Sequence, residues 1–229
     1  MSNRVCAVVG IGPKNGAAFA RRFDSAGCRV ALLSRSTDYS ETLAAELADA
    51  RAYACDAGDP ESVTAAFAAV ERELGPIDTL IYNAGSGSWQ TIEDITPQDF
   101  ERGWRVNALG LLLASQAALP AMLARGSGNI VVVGATASLR GRPQTTGFAA
   151  AKAAQRSLAQ SMAKHLGPKG IHVALIIVDG GIGNAGTRET REGERLDPND
   201  IASLALYLTT QPKSAWSFEV DARPSQETW

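Results

Sequence analysis

Short apolar runs rich in β-branched residues alternate along this chain with longer stretches of helical period, and this alternation restricts the fold more than any other feature. The runs are 4–9, 28–33, 51–55, 77–82, 128–134 and 171–178, with a last one near 217–220. Helical patterns fill the gaps at 17–26, 41–48, from 60 to the Gly75-Pro76 break, a short stretch after Pro97, 104–123, 144–166 and 198–208. The boundaries carry chemical punctuation. Gly27 closes the first helix. Asp59-Pro60-Glu61 sets a capping acceptor, a proline and an acid in the order of a helix start, and Thr96-Pro97 and Asp197-Pro198 repeat the device. Strands joined through helices by short connections require right-handed crossovers. The expectation is an α/β fold: a Rossmann-like, doubly wound parallel sheet of about seven strands with helices on both faces. A length of 229 residues, without repeats or a low-complexity linker, makes it a single domain, 1–229, with a substrate loop around 181–196.

In such a sheet, ligands bind outside the carboxyl ends of the strands, near the point where strand order reverses. Gly10-Ile11-Gly12-Pro13-Lys14-Asn15-Gly16 fills the first strand-to-helix connection, where glycines let backbone approach a pyrophosphate at a helix N-terminus. A second concentration of signal runs from Gly128 to Leu166. A strand bounded by Gly128 and Gly134 leads through Ala135-Thr136-Ala137-Ser138-Leu139-Arg140-Gly141 into a long helix carrying Phe148-Ala149-Ala150-Ala151-Lys152. Phe148 and Lys152, four apart, share one helix face. A lone helix lysine is ordinarily solvated, so its neighbours must decide its role.

Composition removes several classes. A net charge of −2 gives no electrostatic footprint for nucleic acid. No apolar run looks long enough to span a bilayer, and Met1-Ser2-Asn3-Arg4 leads into a strand rather than a signal peptide. A cytoplasmic protein without membrane or nucleic-acid partners is expected. Cys6, Cys28 and Cys55 lack metal-ligand spacing and read as reduced, buried thiols, and His165 and His172 read as structural. No metal site is expected.

Four further motifs fall at the ends of the predicted strands or on the helices behind them: Asp56-Ala57, Asn83-Ala84-Gly85, Val106-Asn107-Ala108, and Lys152 itself. With the glycine turn, they make the chain resemble the short-chain dehydrogenase/reductase (SDR) family over nearly its whole length. The resemblance implies an oxidoreductase that passes a hydride between a nicotinamide cofactor and a small-molecule substrate. It implies that the turn containing Gly10, Gly12, Lys14, Asn15 and Gly16 holds the pyrophosphate, and that Asp56 and Ala57 contact adenine. Asn83, Ala84 and Gly85 would line the cofactor. Lys152 would bond the nicotinamide ribose, Asn107 would order a water-linked proton relay to Lys152, and Gly180 and Ile182 would lie against the nicotinamide. A homodimer or homotetramer is implied too, with helices 104–123 and 144–166 pairing through Ala114, Ala117, Ala118, Ala153, Ala154 and Ala159.

Two features refine or depart from the pattern. An NAD site usually has an acid at the end of the second strand; here stand Ser34 and Arg35, with Lys14 nearby in sequence. A hydroxyl and two cations suit a 2′-phosphate and favour NADP(H) over NAD(H). The alternative is that Arg35 stacks on adenine and Lys14 is solvated. In the active site, the family's tyrosine is replaced by Phe148 and its serine by Ala135, and neither moves a proton. Three readings follow. The enzyme reduces an imine that needs little acid help; or it reduces a carbonyl with a proton from Thr136, Ser138, Thr145, Thr146 or water; or it binds nucleotide without redox turnover, as a sensor or scaffold. By analogy the substrate pocket is lined by Trp89, Ala135, Thr136, Phe148 and the 181–196 loop. Trp89 reads equally as a packing residue. The loop's Arg188, Glu189, Arg191, Glu192, Glu194 and Arg195 read as a solvated charge run.

Overall fold

A computed structural model describes residues 4–183 and 193–227. Its elements are β1 (Val5–Val9), α1 (Asn15–Ser25), β2 (Arg29–Ser34), α2 (Asp38–Glu46), β3 (Ala50–Ala54), α3 (Pro60–Glu73) and β4 (Ile77–Tyr82). There follow α4 (Pro97–Trp104), α5 (Gly110–Arg125), β5 (Gly128–Ala135), α6 (Thr146–Leu166), β6 (Ile171–Val178), α7 (Pro198–Thr209) and β7 (Glu219–Ala222). The seven strands form one parallel sheet in the order β3-β2-β1-β4-β5-β6-β7. The chain works outward from β1 to β3, then returns to lay β4 on the other side of β1. That reversal places the carboxyl ends of β1 and β4 side by side, the position at which doubly wound sheets bind ligands.

The sheet is buried on both faces, as continuous apolar strands require. Successive strand residues alternate between the two layers: Leu80, Tyr82, Ile130 and Val132 pack under α3, α5 and α6, while Ile81, Val131 and Val133 pack under α1 and α7. The predicted caps form. Asp59 accepts from Glu61 N, Thr96 from Asp99 N and Asp197 from Asn199 N.

Several expectations change. Helix α1 begins at Asn15 rather than 17, and β7 lies at 219–222 rather than 217–220. Between α4 and α5 the backbone winds as a π-helical turn, Arg105–Leu109, so 97–125 is one continuous helical stretch. By length and composition that stretch passes for a membrane span, contrary to the sequence reading. Here Leu111, Ala114, Ala118 and Met122 bury it against the chain's own sheet. The same burial corrects the alanine faces. Ala114, Ala118 and Ala159 belong to the core and are not available to a second subunit, while Ala153 is exposed. His172 is structural, as read: buried, stacked on Trp216 at 4.8 Å and within hydrogen-bond reach of the Leu208 and Ser217 carbonyls. The three cysteines are free and buried.

Candidate active site

The glycine turn and the loop after β4 are fitted to one another. Gly10 has φ +97°, a left-handed value that favours glycine, and a Cβ there would stand 2.5 Å from Ala84 N. Asn83 Nδ2 donates to Gly10 O at 2.7 Å and locks the two loops together. A Cβ on Gly16 would stand 2.7 Å from Gly10 O, so the start of α1 also needs glycine for its close approach. Gly12 is different: among the described residues nothing lies within 4 Å of where its Cβ would point. Asn15, at the first turn of α1, is buried with Oδ1 lacking a hydrogen-bond partner. Open backbone beside an unsatisfied amide suits a ligand lying across the helix N-terminus.

Two cavities meet at this turn, with Asn83 and Gly85 lining both. The smaller, of about 320 Å³, is bounded by Gly10, Ser34, Arg35, Asp56, Ala57 and Ala84. The larger, of about 700 Å³, lies over the ends of β5 and β6 and takes in Lys14, Asn15, Trp89, Ala135, Thr136, Phe148, Lys152, Gly180 and Ile182. Two chambers joined at the switch point suit an elongated ligand with a group at each end. The expected cofactor residues divide between them. Lys14 does not sit with Arg35. Its Nζ donates to Ile182 O at 2.9 Å, on the wall of the larger cavity. Ser34 Oγ is occupied by Ser36 O and Ser40 Oγ. Of the three groups expected at a 2′-phosphate, only exposed Arg35 stands ready.

Lys152 is not the solvated lysine of the ordinary case; it is 5% exposed. Its Nζ donates to Val133 O at 3.1 Å and to Gln155 Oε1 at 3.0 Å, leaving one of three protons for the cavity. Burial away from water lowers its pKa to about 8. Asn107 sits in the π-helical turn, a distortion that often marks functional sites. Its Nδ2 donates to Ser86 O at 2.6 Å and Gly103 O at 2.8 Å, while Oδ1 is buried without a partner. A Cβ built on Gly85 would stand 3.5 Å from Asn107 Oδ1 and 3.7 Å from Lys152 Nζ, so both groups converge on one spot.

Sequence reasoning missed the residue between them. Gln155, fully buried, donates through Nε2 to Asn107 O at 3.0 Å and accepts from Lys152. The expected path from Asn107 to Lys152 is thus spanned by a side-chain amide, which is neither acid nor base near neutral pH. The relay that the resemblance implies for Asn107 would run beside this amide, which already takes the Asn107 carbonyl and one Lys152 proton. Gln155 lies three residues after Lys152 on one helix face, so half of the arrangement was visible in sequence; its reach to a carbonyl 48 residues away was not.

Phe148 lies on the same face as Lys152, as predicted, with Nζ 5.9 Å from the ring centroid. Its ring meets Trp89 at 5.8 Å, tilted by 44°, and a Cβ on Gly87 would strike it at 2.7 Å. Trp89 therefore packs and lines the cavity at once, while 71% exposed. Of the other hydroxyls, the three threonines are engaged. Thr136 donates to Asp179 Oδ1 at 2.5 Å, and Thr145 exchanges hydrogen bonds with the Arg142 backbone. Thr146 reaches Pro143 O, and Ser138 is buried without a partner and does not line the cavity. Asp179 was also missed; it is buried, paired with Arg223 and directly precedes Gly180. In the 181–196 loop, Arg188, Glu189, Arg191 and Glu192 lie outside the described residues; Glu194 and Arg195 are exposed.

Comparison with known proteins shows the family. The sequence pattern of the family described as short chain dehydrogenase matches residues 4–195. An uncharacterized oxidoreductase of Staphylococcus aureus is 30% identical over 229 residues, 98% of each chain. A Xanthobacter autotrophicus protein named inactive 2-(S)-hydroxypropyl-CoM dehydrogenase 2 is 36% identical over 190 residues, 82% of each. Among solved structures, a metagenomic short-chain oxidoreductase in complex with NADP superposes with a TM-score of 0.86, at 27% identity and 99% coverage of both chains.

Proposed function

The chain belongs to the short-chain dehydrogenase family, and from that membership we propose that it is an NADP(H)-dependent oxidoreductase that moves a hydride between the nicotinamide and a small carbonyl/alcohol or imine/amine substrate. Its proton source is not the family's. The smaller cavity would take the adenosine end, with Asp56 and Ala57 at the base and Arg35 at the 2′-phosphate. Gly12 and Asn15 would meet the pyrophosphate, Lys152 and Asn107 the nicotinamide ribose, and Gly180 and Ile182 the nicotinamide. That cofactor supplies or accepts the hydride; the protein binds it and orients it. A small-molecule substrate, a cytoplasmic setting and a homo-oligomer complete the reading, the last supported by exposed Phe100, Trp104 and Leu123 on 97–125.

The observation that carries the proposal is the pairing of an intact, buried Lys152 with Phe148 and Ala135 on the same cavity. Cofactor positioning is kept while both groups that would move a proton at the substrate oxygen are gone. Imines fit this best. A protonated imine carbon is already electrophilic, so hydride arrives without a proton from the protein. NADPH oxidation with cyclic imines and with matched ketones tests this. Faster turnover of the imines is expected, and faster ketone turnover would overturn that preference. The 2′-phosphate assignment has its own check. Arg35→Asp is expected to cost about tenfold or more in NADPH affinity and to improve NADH, since it exchanges a forked donor for a charge that repels phosphate and accepts from a ribose hydroxyl. Unchanged preference would reassign Arg35 to stacking.

One observation favours a second reading, a nucleotide-binding protein without redox turnover: the Xanthobacter relative bears the name inactive. Lys152, Gln155 and Asn107 argue the other way, since a scaffold has no need of a buried amine held at the cavity floor.

A further inference from the structure

The larger cavity has a cationic mouth. Arg140 and Arg142 line it, both exposed, on the connection between β5 and α6. Their backbones are fixed: Arg140 N donates to Thr136 O at 3.2 Å, Arg142 N to Thr145 Oγ1 at 2.8 Å, and Thr145 N to Arg142 O at 2.9 Å. Among the described residues neither guanidinium has a carboxylate or hydrogen-bond partner. Arg21, Arg29, Arg125 and Arg156, elsewhere on the surface, are all paired. The cavity's own carboxylates are placed otherwise. Asp179 is held by Thr136 and Arg223, and Glu227 lies against Gly180 on the β6 side. Lys14 and Lys152 add further positive charge. Two unpaired forks on a fixed segment that lines the same cavity provide charge-assisted donors for an oxyanion. Ala135, Phe148 and Trp89 give the same cavity an apolar wall, with Phe148 and Trp89 in contact.

We propose that Arg140 and Arg142 form a subsite for an anionic group of the substrate, a carboxylate, phosphate or sulfonate, joined through an apolar portion to the carbon that exchanges hydride. The proposal rests on the reading of this cavity as the hydride-transfer site. It also fits the local charge: Arg140, Arg142, Lys14 and Lys152 outnumber the cavity's carboxylates, Asp179 and Glu227, and a remote anion on the substrate offsets that surplus.

The test uses benzoylformate and phenylpyruvate against their methyl esters, titrated into the protein with and without NADP⁺ and followed by tryptophan fluorescence and saturation-transfer NMR. The acids are expected to bind about tenfold tighter than the esters, with the difference shrinking as salt rises. Arg140→Gln with Arg142→Gln, both exposed and therefore tolerated by the fold, is expected to abolish the difference. Equal binding of acid and ester, a preference that survives the double replacement, or binding of neither compound each overturns the subsite. Wild-type protein that binds NADP⁺ yet shows no acid preference removes this inference alone. Protein that binds no dinucleotide removes the proposed function, while the acid preference is still read from the titrations without NADP⁺.

Discussion

Phe148→Tyr combined with Ala135→Ser is expected to raise NADPH-dependent reduction of a simple ketone by about a hundredfold to ten-thousandfold, the usual contribution of a positioned acid. The positions are favourable. Phe148 shares its helix face with Lys152, whose ammonium lies 5.9 Å from the ring centroid, and a cation at that range stabilises a phenolate and so makes the phenol a better acid. Ala135 ends β5 on the same cavity, where a hydroxyl would meet the substrate oxygen. Gln155 limits the gain. Since it occupies the route between Asn107 and Lys152, a new tyrosine would be reprotonated through the open cavity rather than through the protein interior. Initial rates with a ketone panel measure the effect. A fall in turnover of the native substrate class without any rise for ketones would instead show that the aromatic wall of Phe148 and Trp89 is shaped for its ligand.

Lys152→Met is expected to weaken NADPH binding by about ten- to a hundredfold. Hydrogen bonds to a charged donor contribute roughly 1.5–3 kcal/mol, and each 1.4 kcal/mol is about tenfold in affinity. Methionine keeps the apolar stem in the buried slot, so the fold persists. The same variant separates a buried lysine from a solvated one through pH. Burial lowers the Lys152 pKa to about 8 from the usual 10.5, so between those values the unfolded chain binds a proton that the folded chain has released. Below pH 8 the ammonium is charged in both states and its burial cost is complete; as pH rises toward 10.5 that cost is relieved and wild-type stability increases. Urea unfolding across that range reads the slope, and Lys152→Met is expected to lose this component. Unchanged NADPH affinity together with an unchanged slope would return Lys152 to the solvated class.

Much of this was legible in the chain because it depends on local pattern. Alternating apolar runs dictate a parallel sheet, and a glycine turn between β1 and α1 dictates where a phosphate can lie. The same holds for Phe148 and Lys152, whose shared face follows from helical period alone. The π-helical turn was not legible, because a change of hydrogen-bond register leaves no mark on hydrophobic periodicity. The direction of Lys14 was not either: four rotatable bonds carry its amine toward Ile182, on a loop 168 residues away, instead of toward Arg35. Gln155 looked like one more polar helix residue, since nothing local shows that its amide bridges two separate helices. Arg140 and Arg142 stood in a loop read only for its alanine and its hydroxyls. For Lys14 and Gln155 the decisive partner was distant in sequence.

As proposed, this chain would hold a nicotinamide dinucleotide at the switch point and differ from its family in how the proton is handled. A fluorescence titration of the purified protein with NADPH and, separately, with NADH tests it most directly, following the tryptophans and the reduced nicotinamide. Saturable, micromolar-range binding of NADPH, with NADH markedly weaker, is the predicted result. Binding of neither dinucleotide would contradict the account and leave the fold as a scaffold turned to another use.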